Sequence, residues 1–343
     1  MATLLVPACT PTAPDCTKPE IVCVGLVTDV GKVTDQSFNQ SSWDAIQQAK
    51  DDGLVQWIQY IETISSKDYG LNIATFCDAD YDIVVTSSFN LGADSIKFAK
   101  LYPNIIFISV DQSATVFTPV GETTPANFIG VAYQEDQSGF LVGALAAMMS
   151  TTHKIGAVAG LSYVPPVWRY GEGFRAGAAY ADEQNGTTTV VSVEYHDDVD
   201  IDKAFTDPVW GQTTATSMVE NGVDVIFGIR GTTGNAAVIE ATLYGAYGIG
   251  VDTDQYYGLT TAQPYLLSSA VKNIYLDVYT LIRMASEETI PGGVDYPGTN
   301  GYAPFHDTES KVPAEVKAMM SILISGLADD TIQTKVPSIK PAP

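Results

Sequence analysis

Positions 21 to 27 read Ile-Val-Cys-Val-Gly-Leu-Val, an unbroken apolar run rich in β-branched residues. That is the pattern of a strand covered on both faces, as in a parallel sheet. Apolar residues then recur at helical spacing through Phe38, Trp43, Ile46 and Ala49, and Asp52-Gly53 ends the helix. The alternation repeats, with strands predicted at 57–63, 83–86, 105–110 and 128–131 and helices at 66–79 and 91–101 between them. This is βαβ wiring, so the class is α/β with right-handed crossovers.

A helix at 134–149 carries small residues on one side, Gly139, Gly143, Ala144 and Ala147, and is expected to pack closely across an interface between two halves. A second alternation follows, with strands at 154–159, 189–195, 223–228, 247–251 and 266–271 and helices at 167–182, 211–221, 235–245 and 275–286. A Gly/Pro-rich connection spans 291–304, and a last helix covers 313–328. Two similar α/β halves predict a two-lobed molecule with a cleft. The N-terminal lobe is expected to comprise 21–133 plus about 253–290, the C-terminal lobe 134–252 plus about 291–328, and 1–20 a flexible tether.

At 343 residues the chain can bury sizeable cores without metals or disulfides. No run of about 18 apolar residues occurs, so no stretch reads as a membrane span. Lys and Arg number 17 against 40 Asp and Glu, a net charge of −23 that repels phosphate backbones and anionic headgroups. Nucleic acid is therefore not an expected partner, and an acidic surface serves solubility or habitat equally well. Cys9, Cys16, Cys23 and Cys77 lack metal-ligand spacing, and His153, His196 and His306 lie far apart, which argues against zinc and against a His-activated nucleophile. Cys9 and Cys16 sit in a Pro/Thr-rich segment, either as a small disulfide loop in an oxidising compartment or as two free thiols. The same segment lacks the charged start and apolar core of a signal peptide, and its composition is that of the tether of an exported, membrane-anchored protein.

In α/β sheets ligands sit beyond the carboxyl ends of the strands. Here those positions are polar: Asp29 and Asn39, Ser87 and Ser88, Asp111, Arg230 and Thr232, Asp252 and Asp254. Any one of the Asp or Ser residues also suits a helix N-cap, but the collection across both halves points to a site.

The stretch Gly25-Leu26-Val27-Thr28-Asp29-Val30-Gly31, followed by Asp35-Gln36-Ser37-Phe38-Asn39-Gln40-Ser41, resembles the signature of the basic membrane protein family of substrate-binding lipoproteins. Further matches in the family's order are Ser109-Val110-Asp111, the run from Gln134 to Gly143, Gly173-Phe174-Arg175-Ala176-Gly177, Phe205-Thr206-Asp207-Pro208, Gly250-Val251-Asp252-Thr253-Asp254-Gln255 and Ser269-Ala270-Val271-Lys272-Asn273. The resemblance spans about 21–325. It implies a type I periplasmic binding protein fold, two three-layer α/β lobes joined by three crossovers, serving an ABC importer as a monomeric, extracytoplasmic lipoprotein. Its partners would be the permease and a small molecule, a purine nucleoside, with riboflavin or a free purine base as alternatives. No cofactor or metal is implied.

Carried over residue by residue, the resemblance implies that Phe38 stacks on the base and that the Asn39 amide meets its edge. Asp111 would accept from base N–H groups, Asp252 from ribose hydroxyls, and Lys272 would donate to the sugar. Asp29 and Gly228 belong to the same ligand-binding set. Phe205 corresponds to the aromatic of the opposite lobe and Trp168 is a local candidate for further stacking, although ordinary packing accounts for either. Between Gly228 and Gly234 this chain departs from the family's smaller, glycine-richer turn. Arg230 there either pairs with an acidic residue or contacts ligand and shifts specificity away from neutral purine nucleosides. A nucleoside-cleaving enzyme would need Asp29, Asp35, Asp252 and Asp254 as a carboxylate set, and no separate acid is placed to assist. A ligand sensor remains compatible with the sequence. A repressor does not, because no basic helix-turn-helix precedes the first strand.

Overall fold

The computed structural model describes residues 14–342. From the first strand the chain runs β1 (Cys23–Val30), α1 (Phe38–Asp51), β2 (Trp57–Thr63), α2 (Tyr69–Cys77), β3 (Ile83–Ser87), α3 (Gly92–Leu101), β4 (Ile106–Val110), α4 (Ala114–Phe117) and β5 (Phe128–Ala132). It then crosses into α5 (Glu135–Met149), β6 (Lys154–Ala159), α6 (Pro165–Asn185), β7 (Val190–Tyr195), α7 (Ile201–Ala204), α8 (Pro208–Glu220), β8 (Val225–Ile229), α9 (Gly231–Leu243), β9 (Tyr247–Asp252) and β10 (Leu266–Lys272). The last elements are α10 (Ile274–Ser286), β11 (Val294–Pro297), β12 (Asn300–Tyr302) and α11 (Ala314–Ala328).

Two six-stranded sheets result, ordered β11-β5-β4-β3-β1-β2 and β12-β10-β9-β8-β6-β7. Every pairing is parallel except β10 with β12. The apolar run at the start accounts for β1: its first six residues are buried, with one core cluster on each side of the sheet. The chain passes between lobes after β5, after β10 and after β11, which makes the three expected crossovers.

The lobe boundaries differ from expectation. β10 joins the second sheet beside β9, as consecutive parallel strands commonly do, and only α10 of segment 253–290 returns to the first lobe, against α1. The Gly/Pro-rich connection conceals two short strands: β11 completes the first sheet and β12 the second.

Residues 14–20 are also not a free tether. Cys16 is buried and bonded to Cys23 at the start of β1, with Cα atoms 5.8 Å apart, instead of pairing with Cys9, which lies outside the described residues.

The small side of α5 packs within the second lobe, on α6, not between halves. Gly139 and Gly143 of α5 meet Gly173 and Gly177 of α6 in reciprocal backbone contact. A Cβ on Gly177 would lie 1.9 Å from the Phe140 carbonyl oxygen, and one on Gly143 would lie 2.1 Å from that of Phe174. Neither neighbour is a movable side chain, so the helices themselves would have to separate. Gly177→Ala is expected to lower the unfolding free energy by about 1–3 kcal/mol. An unshifted urea midpoint would show that the two backbones are not in contact.

Candidate functional site

The carboxyl ends of β3, β4, β8 and β9 converge between the lobes, and each ends in a residue with positive φ: Ser88 at 129°, Asp111 at 63°, Arg230 at 70° and Asp252 at 64°. Non-glycine residues rarely occupy this region, and strained ones cluster at binding and active sites. The turns bring Arg230 and Asp252 to one interlobe space.

That space holds a cavity of about 320 Å³, within the range of small-molecule sites. From the first lobe it is lined by Asp29, Asp35, Phe38 and Asn39, and from the second by Phe205, Arg230, Thr232 and Asp252, with Lys32 at its edge. Of the expected residues, Asp29, Phe38, Asn39, Phe205, Arg230 and Asp252 are thus brought together.

The polar first-lobe residues are held by hydrogen bonds from the start of α1 and its neighbours. Asp35 Oδ1 accepts the N–H groups of Ser37 and Gln40 at 2.9 and 3.1 Å, and its Oδ2 accepts that of Asn39 at 3.0 Å, satisfying the start of the helix. Asn39 Oδ1 accepts the Asp29 N–H at 3.1 Å. The Asp29 carboxylate in turn accepts from the Val30 N–H, the Tyr69 hydroxyl and the Asn90 amide. Across the cleft, Asp252 is fully buried, its Oδ2 accepts the Ser37 hydroxyl at 3.0 Å, and its Oδ1 has no partner among the described residues. Further bonds join the lobes at the rim, where the Ser65 hydroxyl and the Ser66 N–H donate to Asp202 at 3.1 Å each.

The remaining expected residues lie elsewhere. Gly228 faces α9, where a Cβ would meet the Gly234 carbonyl oxygen at 2.3 Å, so its role is close strand–helix packing. Trp168 stacks on Tyr195 away from the cavity. Asp254, in the carboxylate set considered for hydrolysis, pairs with His306 at 2.7 Å outside this cavity.

Asp111 and Lys272 face each other instead of the cavity. Lys272 Nζ lies 2.7 and 2.6 Å from the two Asp111 oxygens and 2.7 Å from Glu135 Oε1, and it sits 5.2–5.5 Å from the centres of the Phe38, Tyr133 and Tyr170 rings. Fully enclosed in this way, its ammonium has no direction left toward a sugar. Arg230 takes the first of its two expected options: Nη1 is 3.1 Å from Asp111 Oδ2, and the guanidinium carbon stands 4.6 Å over the Phe38 ring. Arg169 closes the series on Glu135. A chain Arg230–Asp111–Lys272–Glu135–Arg169, buried except at its partly exposed end Arg169, therefore crosses the lobe boundary, and Glu135 and Arg169 are not among the residues expected from the sequence. A glutamate opening a helix made of small and apolar residues was the available signal.

Burial pushes the Glu135 carboxyl up, yet Lys272 and Arg169 outweigh it and hold the group down at about 2, against an ordinary 4.5. A depressed carboxylate stabilises the fold above its unfolded pKa and loses that contribution as the pH falls through its folded one. The stability gap between the wild type and Glu135→Gln, measured by urea unfolding, is expected to be wide near neutral pH and to close between about 4.5 and about 2. A gap independent of pH would refute the charge interaction.

Residues 22–297 match the model of a family described as ABC transporter substrate-binding protein, PnrA-like. The chain belongs to that family. It is a substrate-binding protein of an ABC transporter, with a small-molecule ligand and a permease as partners. It is 30% identical to the CD4+ T-cell-stimulating antigen of Listeria monocytogenes, over 79% of this chain and 75% of the relative. It is 29% identical to the ABC transporter nucleoside-binding protein BmpA of Lactococcus lactis, over 80% and 79% of the two chains. A solved solute-binding protein of an ABC transporter from Aeropyrum pernix shares the fold, with a TM-score of 0.77 at 24% identity over 92% of this chain and 94% of that one. Among the described residues no helix is long and apolar enough to cross a membrane.

Proposed function

We propose that this substrate-binding protein captures a purine nucleoside between its lobes outside the cytoplasm and delivers it, as a lipid-anchored monomer, to an importing permease. The observation that carries the reading is the cavity wall: Phe38 and Phe205 come from opposite lobes, and Asp252, whose buried Oδ1 has no protein donor among the described residues, lines the same space. The Phe205 ring and the part of Phe38 not covered by the Arg230 guanidinium can stack on a base, and a buried carboxylate oxygen without a protein donor calls for a hydroxyl or N–H from the ligand. The relative from Lactococcus lactis is named for nucleoside binding. The Cys16–Cys23 disulfide suits an oxidising compartment. Capture is favoured over cleavage because Asp29 and Asp35 already serve as hydrogen-bond acceptors for loop and helix groups. Ligand contacts to both lobes would stabilise the closed arrangement, and that differential affinity is what drives closure.

A thermal-shift series with adenosine, guanosine, inosine, cytidine, adenine and riboflavin tests the reading. Ligand at 100 times its Kd stabilises by about 2.7 kcal/mol, so a clear rise with at least one purine nucleoside and none with cytidine is expected. Silence with every purine nucleoside refutes it, and a response to riboflavin alone reassigns the site to a flavin.

A further inference from the structure

The cavity's hydrogen-bonding groups are unevenly spent. Arg230 is only 6% exposed and lines the cavity, yet among the described residues its one acidic partner is Asp111, at Nη1, which leaves N–H groups of the fork without a protein acceptor. Asn39 is oriented by the Asp29 N–H, which can meet only the amide oxygen, so Nδ2 is the end left for a ligand. The carboxylates on the same wall are already supplied with donors: Asp35 by three backbone N–H groups and Asp29 by Val30, Tyr69 and Asn90. Around Phe38 the wall is therefore rich in donors and poor in open acceptors, with Asp252 Oδ1 the exception.

We infer that Arg230 makes the site selective for 6-oxopurine nucleosides, such as guanosine and inosine, over adenosine. The inference rests on the purine nucleoside reading above. The guanidinium fork matches the adjacent O6 and N7 acceptors of a 6-oxopurine, whereas adenine sets its N6 amino donor against the fork. An anionic ligand fits less well, because Asp111 already compensates Arg230 and Asp29, Asp35 and Asp252 line the same space. The Asp252 acceptor is left for the sugar hydroxyls.

Titration calorimetry of the full chain with guanosine, inosine, adenosine and 7-deazaguanosine reads this directly. Guanosine and inosine are expected to bind at least about tenfold tighter than adenosine, with 7-deazaguanosine, which lacks the N7 acceptor, falling toward adenosine. In Arg230→Met the gap between guanosine and adenosine closes. Adenosine binding as tightly as guanosine, or a preference that survives Arg230→Met, overturns the inference while leaving nucleoside capture intact. Failure of every purine nucleoside to bind removes the underlying reading as well. Should Arg230→Met not fold, the wild-type ranking with 7-deazaguanosine decides.

Discussion

Lys272→Met is expected to lower the unfolding free energy by about 3–5 kcal/mol, the largest stability loss foreseen for a single substitution here. The methionine keeps most of the apolar stem and removes the ammonium. Asp111 and Glu135 would then be left without their shared cation, both buried, while the flanking Arg230 and Arg169 each reach only one of them. A buried ion pair adds little net stability over an apolar substitute, but removing one member exposes the full cost of the charge left behind. Asp111 belongs to the first lobe and the other four members of the chain to the second, so the loss falls partly on the lobe contact. Urea unfolding checks the size. Pairing the substitution with Asp111→Asn is expected to recover part of the loss, because the double variant strands one charge fewer. An unchanged midpoint in the single variant would mean that the ammonium is not what holds the two carboxylates in place.

Why this chain of charges escaped the sequence follows from its physics. A buried charge is tolerated only where its partners meet it, and those partners come from β4, α5, α6, β8 and β10, far apart in sequence. The one local mark on Glu135 is the small, apolar helix that it opens, which signals burial but names no partner. The strands, by contrast, were legible because burial on both faces demands an unbroken apolar run, as at β1 and β8, whose central residues are all buried. The same rule explains the misplaced lobe boundary. Val294–Pro297 and Asn300–Tyr302 are four and three residues long, carry Asp, Pro, Asn and Gly, and become strands only because the chain must cross from one sheet edge to the other there. Cavity residues were legible through motif order and strand ends. Whether a strand-end residue faces the cavity or a neighbour is set by distant partners and not by the turn: Asp111 and Asp252 share nearly the same φ, yet Asp111 meets Lys272 while Asp252 lines the cavity.

The unpaired oxygen of Asp252 gives the second large expected effect: under the proposed function, Asp252→Ala weakens purine nucleoside binding by about 1.5–3 kcal/mol, roughly ten- to 150-fold in Kd. Among the described residues no protein group donates to the buried Oδ1, and a ligand hydroxyl or N–H would satisfy it. The alanine variant forfeits that bond. The alternative is that Asp252 acts through closure, because Oδ2 accepts the Ser37 hydroxyl across the cleft. Ser37→Ala separates the two, since it removes the interlobe bond and leaves Oδ1 in place. Calorimetry is expected to show a small loss for Ser37→Ala and the full loss for Asp252→Ala. Equal losses would assign Asp252 to holding the lobes together and take the sugar contact away from it. Because Asp252 sits at a φ of 64°, where asparagine is tolerated and alanine is strained, Asp252→Asn serves as the backbone control. It should fold as the wild type does and, with its amide able to make only part of the carboxylate's hydrogen bonds, bind with an affinity between those of the wild type and Asp252→Ala.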